Sequence, residues 1–383
     1  MTKLNKSPRI LIMAGGTGGH IFPAKAVAMA LLDQGWQVDW LGSHDRMEAQ
    51  LVPSFGIPFH SIQISGLRGK TKLSLLKAPW MLIKSVWQSR RIIKQLQPDV
   101  VLGFGGYASG PGGLAAWLRG VPLLIHEQNA VAGSTNKLLA KFARQVLVAF
   151  PTAFSALTKQ RLVGNPVRAE LISAGHQPNL DNVSTNEKST NQENRSLHIL
   201  VIGGSLGAKA LNEQLPAIFS AAAKNGQIKV QHQTGPVLLA STQACYSELA
   251  QPGLSVDVAA FIDDMASAYR WADLVICRAG ASTVSEVASA GVAAIFVPLP
   301  NAIDDHQTAN ANWLSQQQAA LVIKQTDLTA ANLLPLLQEW LADKAPLRKL
   351  AAAAKSCALD NATEQVVQFC QQVVGQPVTG TKI

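Results

Sequence analysis

One local arrangement occurs twice in this chain of 383 residues and constrains its fold more than any other feature. The apolar run Arg9–Ala14, rich in β-forming residues, leads into the glycine turn 15–20 (GGTGGH) and then into residues 21–32, whose apolar side chains recur at helical spacing. Near the middle, the apolar run 196–202 leads into 203–208 (GGSLGA) and a second helical stretch. A strand, a glycine turn and a helix used twice predict two domains.

Strands alternate with helix-length stretches in both halves, which predicts parallel sheets covered by helices on both faces. We expect an N-terminal domain over residues 1–164, a C-terminal domain over 165–360, and a final helix over 361–383 that packs back towards the N-terminal domain. Residues 176–196 are polar and nearly free of large apolar side chains, so we predict a mobile surface insertion there.

Charge is divided unevenly along the chain. Residues 1–168 hold 20 Lys and Arg against 6 Asp and Glu, whereas the remainder holds 13 against 18. A basic half favours an anionic partner, which is a nucleic acid, a phosphorylated substrate or an acidic membrane surface. The apolar content of 48% excludes global disorder. The four cysteines show no Cys-x-x-Cys spacing, which argues against a zinc site or a disulfide framework.

Glycine turns that lead onto a helix N-terminus are typical of phosphate sites, because the first amides of a helix have no helical partner. The dinucleotide motif does not fit the first turn, since its last glycine would fall at Ile21. The second turn does match Gly-x-Ser-x-Gly, the nucleophile motif of serine hydrolases, at Ser205. The first turn repeats the arrangement without a serine, so we favour a nucleotide diphosphate at both.

A polar cluster follows the predicted strand 274–277 in the second half. Ser282 or Thr283 is placed to cap the next helix, and Glu286 can accept hydrogen bonds from two ribose hydroxyls. A second polar turn, 304–310, follows the predicted strand 294–299, at the sheet edge where α/β proteins bind ligands.

Eight segments, in order and in spacing, resemble the MurG family of N-acetylglucosaminyltransferases over nearly the whole chain. They are 15–20, 64–70, 105–111, 126–129, 163–168, 203–208, 261–265 and 281–286.

The resemblance implies two Rossmann-like domains facing a cleft, which is the B-type glycosyltransferase fold. It implies an inverting transfer from UDP-N-acetylglucosamine to the 4-hydroxyl of the N-acetylmuramoyl-pentapeptide on undecaprenyl diphosphate, which converts lipid I to lipid II in peptidoglycan synthesis and so serves cell shape and division. It implies a peripheral protein on the cytoplasmic face of the inner membrane, acting beside other cell-wall synthesis proteins. No metal or other cofactor and no nucleic acid is expected.

The family's binding positions map onto matching motifs, and His20 is the candidate general base because an unperturbed imidazole titrates near neutrality. The alternatives for His20 are a hydrogen bond to phosphate or a role in positioning the acceptor, and His126 or Glu127 are alternative bases. The implied substrate-binding residues are Thr17, Gly18, Gly19, Asn129, Arg168, Ser205, Ile262, Ala281, Ser282, Thr283, Val284, Ser285, Glu286 and Gln307.

A stretch without acidic residues, between Glu48 and Asp99, favours a membrane surface. One helical stripe carries Leu76, Trp80, Ile83 and Trp87, and the cations Lys77, Lys84 and Arg91 recur every seven residues. Tryptophans bordered by cations are typical of a helix lying on anionic lipid. The alternative is an ordinary helix buried on a broad face.

Three other functions compete with this interpretation. A non-enzymatic nucleotide-binding protein would use the same turns, and another B-type glycosyltransferase would take a different acceptor. A serine hydrolase would lose all activity on substitution of Ser205, whereas the transferase would lose only donor affinity.

Overall fold

The computed structural model describes residues 7–64, 78–154, 159–173, 196–300 and 305–375. These residues form two compact units. The first contains the described residues up to Arg168 and those from Leu359 onward, and the second runs from Ala169 to Ala358. The sequence analysis set the domain boundary after residue 164 and assigned residues 359 and 360 to the second domain.

The first unit contains seven strands and six of the described helices. They are β1 (Arg9–Ala14), α1 (Gly18–Asp33), β2 (Gln37–Ser43), α2 (Met47–Ser54), β3 (Phe59–Ile62), α3 (Ala78–Leu96), β4 (Val100–Gly105), α4 (Ser109–Leu118), β5 (Leu123–Glu127), α5 (Ser134–Leu139), β6 (Gln145–Val148), β7 (Gln160–Leu162) and the final helix of the chain (Ala362–Val374).

All neighbouring strands of the first sheet are parallel, in the order β3-β2-β1-β4-β5-β6-β7. Side chains of a strand alternate between the two faces of a sheet. Ile10 and Ile12 pack in one buried cluster and Leu11 and Met13 in another, so both faces of β1 are covered. The strand order reverses between β1 and β4, and α/β sheets bind ligands at the carboxyl ends of the strands at such a point.

The second unit repeats this design. Its elements are α6 (Ala169–Ser173), β8 (Leu197–Ile202), α7 (Lys209–Ala222), β9 (Ile228–Gln233), α8 (Leu239–Glu248), β10 (Leu254–Ala259), α9 (Met265–Trp271), β11 (Leu274–Cys277), α10 (Ala281–Ala290), β12 (Ala293–Phe296), α11 (His306–Ser315), β13 (Leu321–Val322), α12 (Ala330–Ala342) and α13 (Ala345–Ser356). The sheet is parallel with the order β10-β9-β8-β11-β12-β13, and it reverses between β8 and β11.

The end of the chain forms two helices, and the second corresponds to the final helix predicted over 361–383. The first is α13, and the second, α14 (Ala362–Val374), begins after the break at residues 357–361. Helix α14 packs on α1, and its buried side chains Val366, Val367, Phe369 and Cys370 belong to the core of the first unit.

The predicted fold class, two doubly wound domains with parallel sheets, is confirmed. Residues 176–195 of the predicted insertion, and Leu76 and Lys77 of the predicted membrane helix, lie outside the described residues. Ser196, at the end of the insertion, is buried directly before β8.

Candidate functional site

Helix α1 begins inside the first glycine turn. Thr17 is the N-cap residue and Gly18, Gly19 and His20 form the first helical turn. The predicted start at Ile21 was therefore wrong by three residues. The amides of Gly18 and Gly19 are among the first-turn N–H groups that have no partner within a helix.

The buried carboxylate of Glu48 supports this turn from below. Its two oxygens accept hydrogen bonds from the backbone N–H of Gly16 (2.9 Å) and of Ser43 (3.0 Å). A Cβ atom at residue 15 would overlap this carboxylate, so a side chain there would displace Glu48 from its partners. Glu48 was not singled out from the sequence, because its partners lie at the carboxyl ends of two different strands.

The turn after β4 packs directly against the first glycine turn. Gly105 and Gly106 have positive φ angles of 101° and 89°, which favour glycine. A Cβ atom at residue 105 would lie 3.2 Å from the ring of His20, and one at residue 106 would overlap the carbonyl oxygen of Gly15. The sheet thereby brings the first and third motifs of the sequence analysis together around the His20 imidazole.

Gln128 contacts the His20 ring from the carboxyl end of β5. The His20 Nδ1 atom lies 2.6 Å from the Gln128 Oε1 atom. His126 lies on the other side of the same amide, with its Nδ1 atom 2.9 Å from Gln128 Nε2. Burial lowers the pKa of His126 to about 4, so its imidazole is neutral near pH 7.

The two alternative bases, His126 and Glu127, are both occupied by structural hydrogen bonds. His126 is fully buried and its Nε2 atom lies 2.9 Å from the Gly164 carbonyl oxygen. Glu127 accepts hydrogen bonds from the backbone N–H groups of Asn129 and Gly133 and from the side-chain amides of Asn129 and Asn136. These contacts give Glu127 the task of shaping the loop that carries Asn129.

The second glycine turn rests on a neutral amide where the first rests on a carboxylate. Gln233 at the end of β9 accepts a hydrogen bond from the Gly204 N–H (3.1 Å) and donates one to the Gly204 carbonyl (2.9 Å). A side chain at residue 207 would overlap the Thr234 carbonyl oxygen. Ser205 is exposed at the tip, and within the described residues it forms no hydrogen bond to a histidine, which a hydrolase triad would require.

Helix α10 provides a further set of helix N-terminal amides at the end of β11. Its N-cap residue is Gly280 and no side chain caps it, so the expected cap by Ser282 or Thr283 was wrong. The Ser282 hydroxyl is buried and has no hydrogen-bond partner among the described residues. One turn further on, the hydroxyl of buried Tyr269 donates a 3.1 Å hydrogen bond to a Glu286 carboxylate oxygen.

The sequence-predicted residue Ile262 lines a pocket of about 420 Å³ in the second unit. Phe261, Asp264, Ala268 and Trp271 also line it. The Asp264 carboxylate caps α9 by accepting hydrogen bonds from the backbone N–H and hydroxyl of Ser267, and this lowers its pKa. This cap, two residues after Ile262, fixes the start of α9.

The remaining predicted positions are distributed between the units. Arg168 is exposed at the end of the first unit. Gln307 lies in the first turn of α11, where its side-chain oxygen accepts a hydrogen bond from the Leu299 N–H (2.9 Å). Thr17 and Gly19 are exposed on the first turn, while Ala281 and Val284 are buried in α10, which leaves their backbone as the part that a ligand could contact.

Helix α3 presents an apolar, basic face to solvent. Trp80 is 73% exposed and Ile83 and Trp87 are each 61% exposed. The opposite side is buried and includes Ser85, Ser89 and Ile93, and Val86 packs against the same core. The cations exposed on this helix are Lys84, Arg90, Arg91 and Lys94. No described helix combines the length and the apolar character that a bilayer crossing requires.

Family models match both halves of the chain. The glycosyltransferase family 28 N-terminal domain matches residues 10–148 and the C-terminal domain of the same family matches residues 198–368. A protein of Shewanella sediminis is 50% identical over 98% of this chain and 100% of its own length, and one of Aeromonas hydrophila is 51% identical over 96% and 97%. Both are named UDP-N-acetylglucosamine–N-acetylmuramyl-(pentapeptide) pyrophosphoryl-undecaprenol N-acetylglucosamine transferase.

Solved structures show the same similarity. The crystal structure of MurG from Acinetobacter baumannii is 43% identical, with a TM-score of 0.80 over 95% of this chain and 99% of that one. A glycosyltransferase of kitacinnamycin is only 16% identical yet reaches a TM-score of 0.69 over 96% and 100%, so it shares the fold.

Proposed function

This chain belongs to glycosyltransferase family 28, and from that premise we propose that it transfers N-acetylglucosamine from UDP-N-acetylglucosamine to the lipid-linked N-acetylmuramyl-pentapeptide, lipid I. The observation that carries the proposal is identity of about half of all residues over nearly the full length of relatives named for this reaction. The glycine motifs also lie where α/β sheets bind ligands, at the carboxyl ends of strands at both points of reversed strand order.

The reaction is a displacement at C1 of the sugar with inversion. The 4-hydroxyl oxygen of the acceptor forms a bond to C1, and the bond from C1 to the β-phosphate oxygen breaks with its electron pair leaving on UDP. His20 takes the hydroxyl proton on Nε2, which forms no hydrogen bond within the described part of the chain. General base catalysis of this kind contributes ~10²–10⁴-fold in rate.

The second unit binds the donor. The first-turn amides of α10 and the Gly203–Gly207 turn meet the charge that develops on the departing diphosphate, so the proposed transfer includes no metal. Glu286 accepts the ribose hydroxyls, and the pocket beside Ile262 receives the uracil ring. The neutral Gln233 beneath the second turn supports this assignment, because it places no negative charge next to the phosphates.

The acceptor is held in a bilayer, and the exposed face of α3 supports a peripheral position on its cytoplasmic leaflet. Trp117 and Leu118 are exposed on the neighbouring helix α4 and were not predicted from the sequence. We also propose that the protein acts beside other cell-wall synthesis proteins at that membrane surface.

The activity is tested by incubating the protein with radiolabelled UDP-N-acetylglucosamine and a short-chain lipid I analogue, with and without EDTA. We expect a β-linked disaccharide product in equal yield in both samples. Release of free N-acetylglucosamine without disaccharide would contradict the proposed acceptor, and loss of product with EDTA would contradict a metal-free transfer.

The role of His20 has a separate test. The variant His20→Ala should lower kcat by ~100-fold or more while leaving the donor Kd within about twofold, because a general base acts on the acceptor proton and not on donor binding. Near-normal turnover in this variant would remove His20 from the role.

A further inference from the structure

Three side chains of the first unit form a chain of hydrogen bonds that ends at His20. It starts at the Gly164 carbonyl, passes through His126 and Gln128, and reaches the Nδ1 atom of His20, with successive distances of 2.9, 2.9 and 2.6 Å. His126 and Gln128 are both buried. Neither residue can touch an acceptor hydroxyl from this position, so their contribution runs through His20.

Two backbone carbonyls determine which atom donates in each of these hydrogen bonds. A carbonyl oxygen only accepts, so His126 must carry its proton on Nε2, which faces Gly164. His126 is neutral at pH 7, so its Nδ1 atom carries no proton and accepts a hydrogen bond from the NH₂ group of Gln128. The His126 carbonyl, 3.0 Å from Gln128 Nε2, independently requires the NH₂ group on the same side.

The orientation of Gln128 then decides the tautomer of His20. With its NH₂ group turned to His126, Gln128 presents only the Oε1 atom to His20, and that atom can only accept. His20 must therefore carry its proton on Nδ1, which leaves a lone pair on Nε2. A neutral imidazole has one ring nitrogen with a basic lone pair. Only the Nδ1–H tautomer places that lone pair on Nε2, away from Gln128.

We propose that Gln128 and His126 are positioning residues that hold His20 as the Nδ1–H tautomer, so that Nε2 is the basic atom offered to the acceptor hydroxyl. The effect of this tautomer on catalysis rests on the proposed function. The tautomer itself is a property of the protein without substrate. The hydrogen-bond chain is built into the end of strand β5 and into the Gly164 backbone, which keeps it in place without substrate.

The tautomer is read directly by NMR of the full-length protein labelled with ¹⁵N-histidine. Two-bond ¹H–¹⁵N correlations separate protonated from bare ring nitrogens, and the His20 signals are those missing from the His20→Ala spectrum. We expect a protonated Nδ1 and a bare Nε2 at pH 8 in the absence of substrate. A protonated Nε2 in the wild-type protein would overturn the proposal, whatever the outcome of the activity assay.

The variant Gln128→Leu tests the cause. Leucine is similar in size and cannot accept a hydrogen bond, so we expect the His20 signals to shift to a mixture of tautomers. We also expect kcat to fall by ~10–100-fold while the donor KM stays within about twofold. A loss of this size in kcat lies within the range of general base catalysis. A matched control is Gln233→Leu, which removes the buried glutamine of the second unit. It should leave the His20 signals unchanged and raise the donor KM.

The two readouts separate the possible failures. An unchanged His20 tautomer in folded Gln128→Leu would show that Gln128 does not set it, which overturns the proposal. A wild-type Nδ1–H signature together with an absence of transfer to lipid I would instead contradict the proposed function and leave the hydrogen-bond assignment standing.

Discussion

At the scale of single residues, Glu48 shows how a glycine turn can be held by a side chain distant in sequence. Its carboxylate accepts two backbone N–H groups, one from the glycine turn and one from the end of β2, and it is fully buried. A buried carboxylate is stabilised only by such partners. The first turn is therefore held in shape by a carboxylate, whereas the second rests on the amide of Gln233.

The variant Glu48→Gln should destabilise the first unit by about 1–3 kcal/mol, because an amide offers one acceptor oxygen where two N–H groups need one each. Urea denaturation followed by tryptophan fluorescence measures the change. Asp45→Asn is the matched control, since Asp45 is exposed on the preceding loop, and its effect should stay within about 0.5 kcal/mol. Equal stability of the two variants would contradict the supporting role of Glu48.

Tyr269 is a second residue with a predicted role, because its hydroxyl donates a hydrogen bond to Glu286. Removing the hydroxyl in Tyr269→Phe should cost about 1 kcal/mol in orienting the carboxylate, which raises the KM for UDP-N-acetylglucosamine roughly fivefold with a smaller effect on kcat. Tyr246→Phe is the control, because Tyr246 bonds to His232 and not to Glu286. Steady-state kinetics with an unchanged donor KM in Tyr269→Phe would contradict this role.

Glu48 and Tyr269 could not be found from sequence spacing, because their partners are 32 and 17 residues away and meet only when the sheet forms. Gln128 lies within a motif that the sequence analysis did identify, yet its function depends on which way its amide points. His20 and Glu286 were identified because a titratable side chain beside a glycine turn or a helix N-terminus is visible in the sequence itself.

At the scale of elements, some limits were predicted to within a residue, whereas the predicted strand 294–299 ends at Phe296 and helix α1 starts earlier than predicted. Runs such as Arg9–Ala14 and Leu274–Cys277 are bounded by glycine or polar residues, and the structure gives them the predicted limits. The start of helix α1 was predicted too late because glycine is a poor helix former in general. In the structure, Gly18 and Gly19 nevertheless belong to its first turn. Helix α14 starts at Ala362, one residue from the predicted start at 361, although the preceding loop 357–361 contains neither proline nor glycine.

Helix α3 carries the prediction for membrane binding. Replacing Trp80 and Trp87 with serine should lower partition into vesicles of anionic phospholipid by ~10-fold or more, because both side chains lose apolar area that lipid would cover. Binding of the wild-type protein should weaken as salt rises from 0.05 to about 0.5 M, since the attraction of the exposed cations is screened.

The contribution of the exposed cations of α3 to membrane binding is tested by comparing two double variants. The variant with Lys84→Ala and Arg91→Ala should bind anionic vesicles more weakly, by about 1 kcal/mol for each cation lost. Lys209→Ala with Lys224→Ala removes two exposed cations of the second unit and should bind like wild type. Equal, salt-independent partition of both double variants would contradict an interfacial role for α3.

At the scale of the whole molecule, each unit contains a buried neutral histidine that links stability to pH. Burial lowers the pKa of His126 to about 4 and that of His232 to about 3. Folding therefore favours the uncharged ring, so the stability that each contributes is complete above pH 6.5 and is lost as the pH falls from 6.5 towards these values.

Between pH 7.5 and 5.5 the free energy of unfolding of each unit should fall by about 1.4 kcal/mol from its buried histidine. Urea midpoints across this range measure the loss. The variant His232→Gln should reduce the pH dependence of the second unit, where burial also lowers the pKa of His198, whereas His44→Gln, at an exposed position, should retain the full pH dependence. A flat profile in the wild-type protein would contradict the neutral assignment of both rings.

Helix α14 makes the first unit discontinuous along the chain, and this has a consequence for biosynthesis. The strands of that unit leave the ribosome first, but four side chains of its core, from Val366 to Cys370, are translated last. The second unit has all of its residues available by Ala358. The nascent N-terminal unit therefore lacks four of its core side chains until the whole second unit and residues 366–370 have been translated.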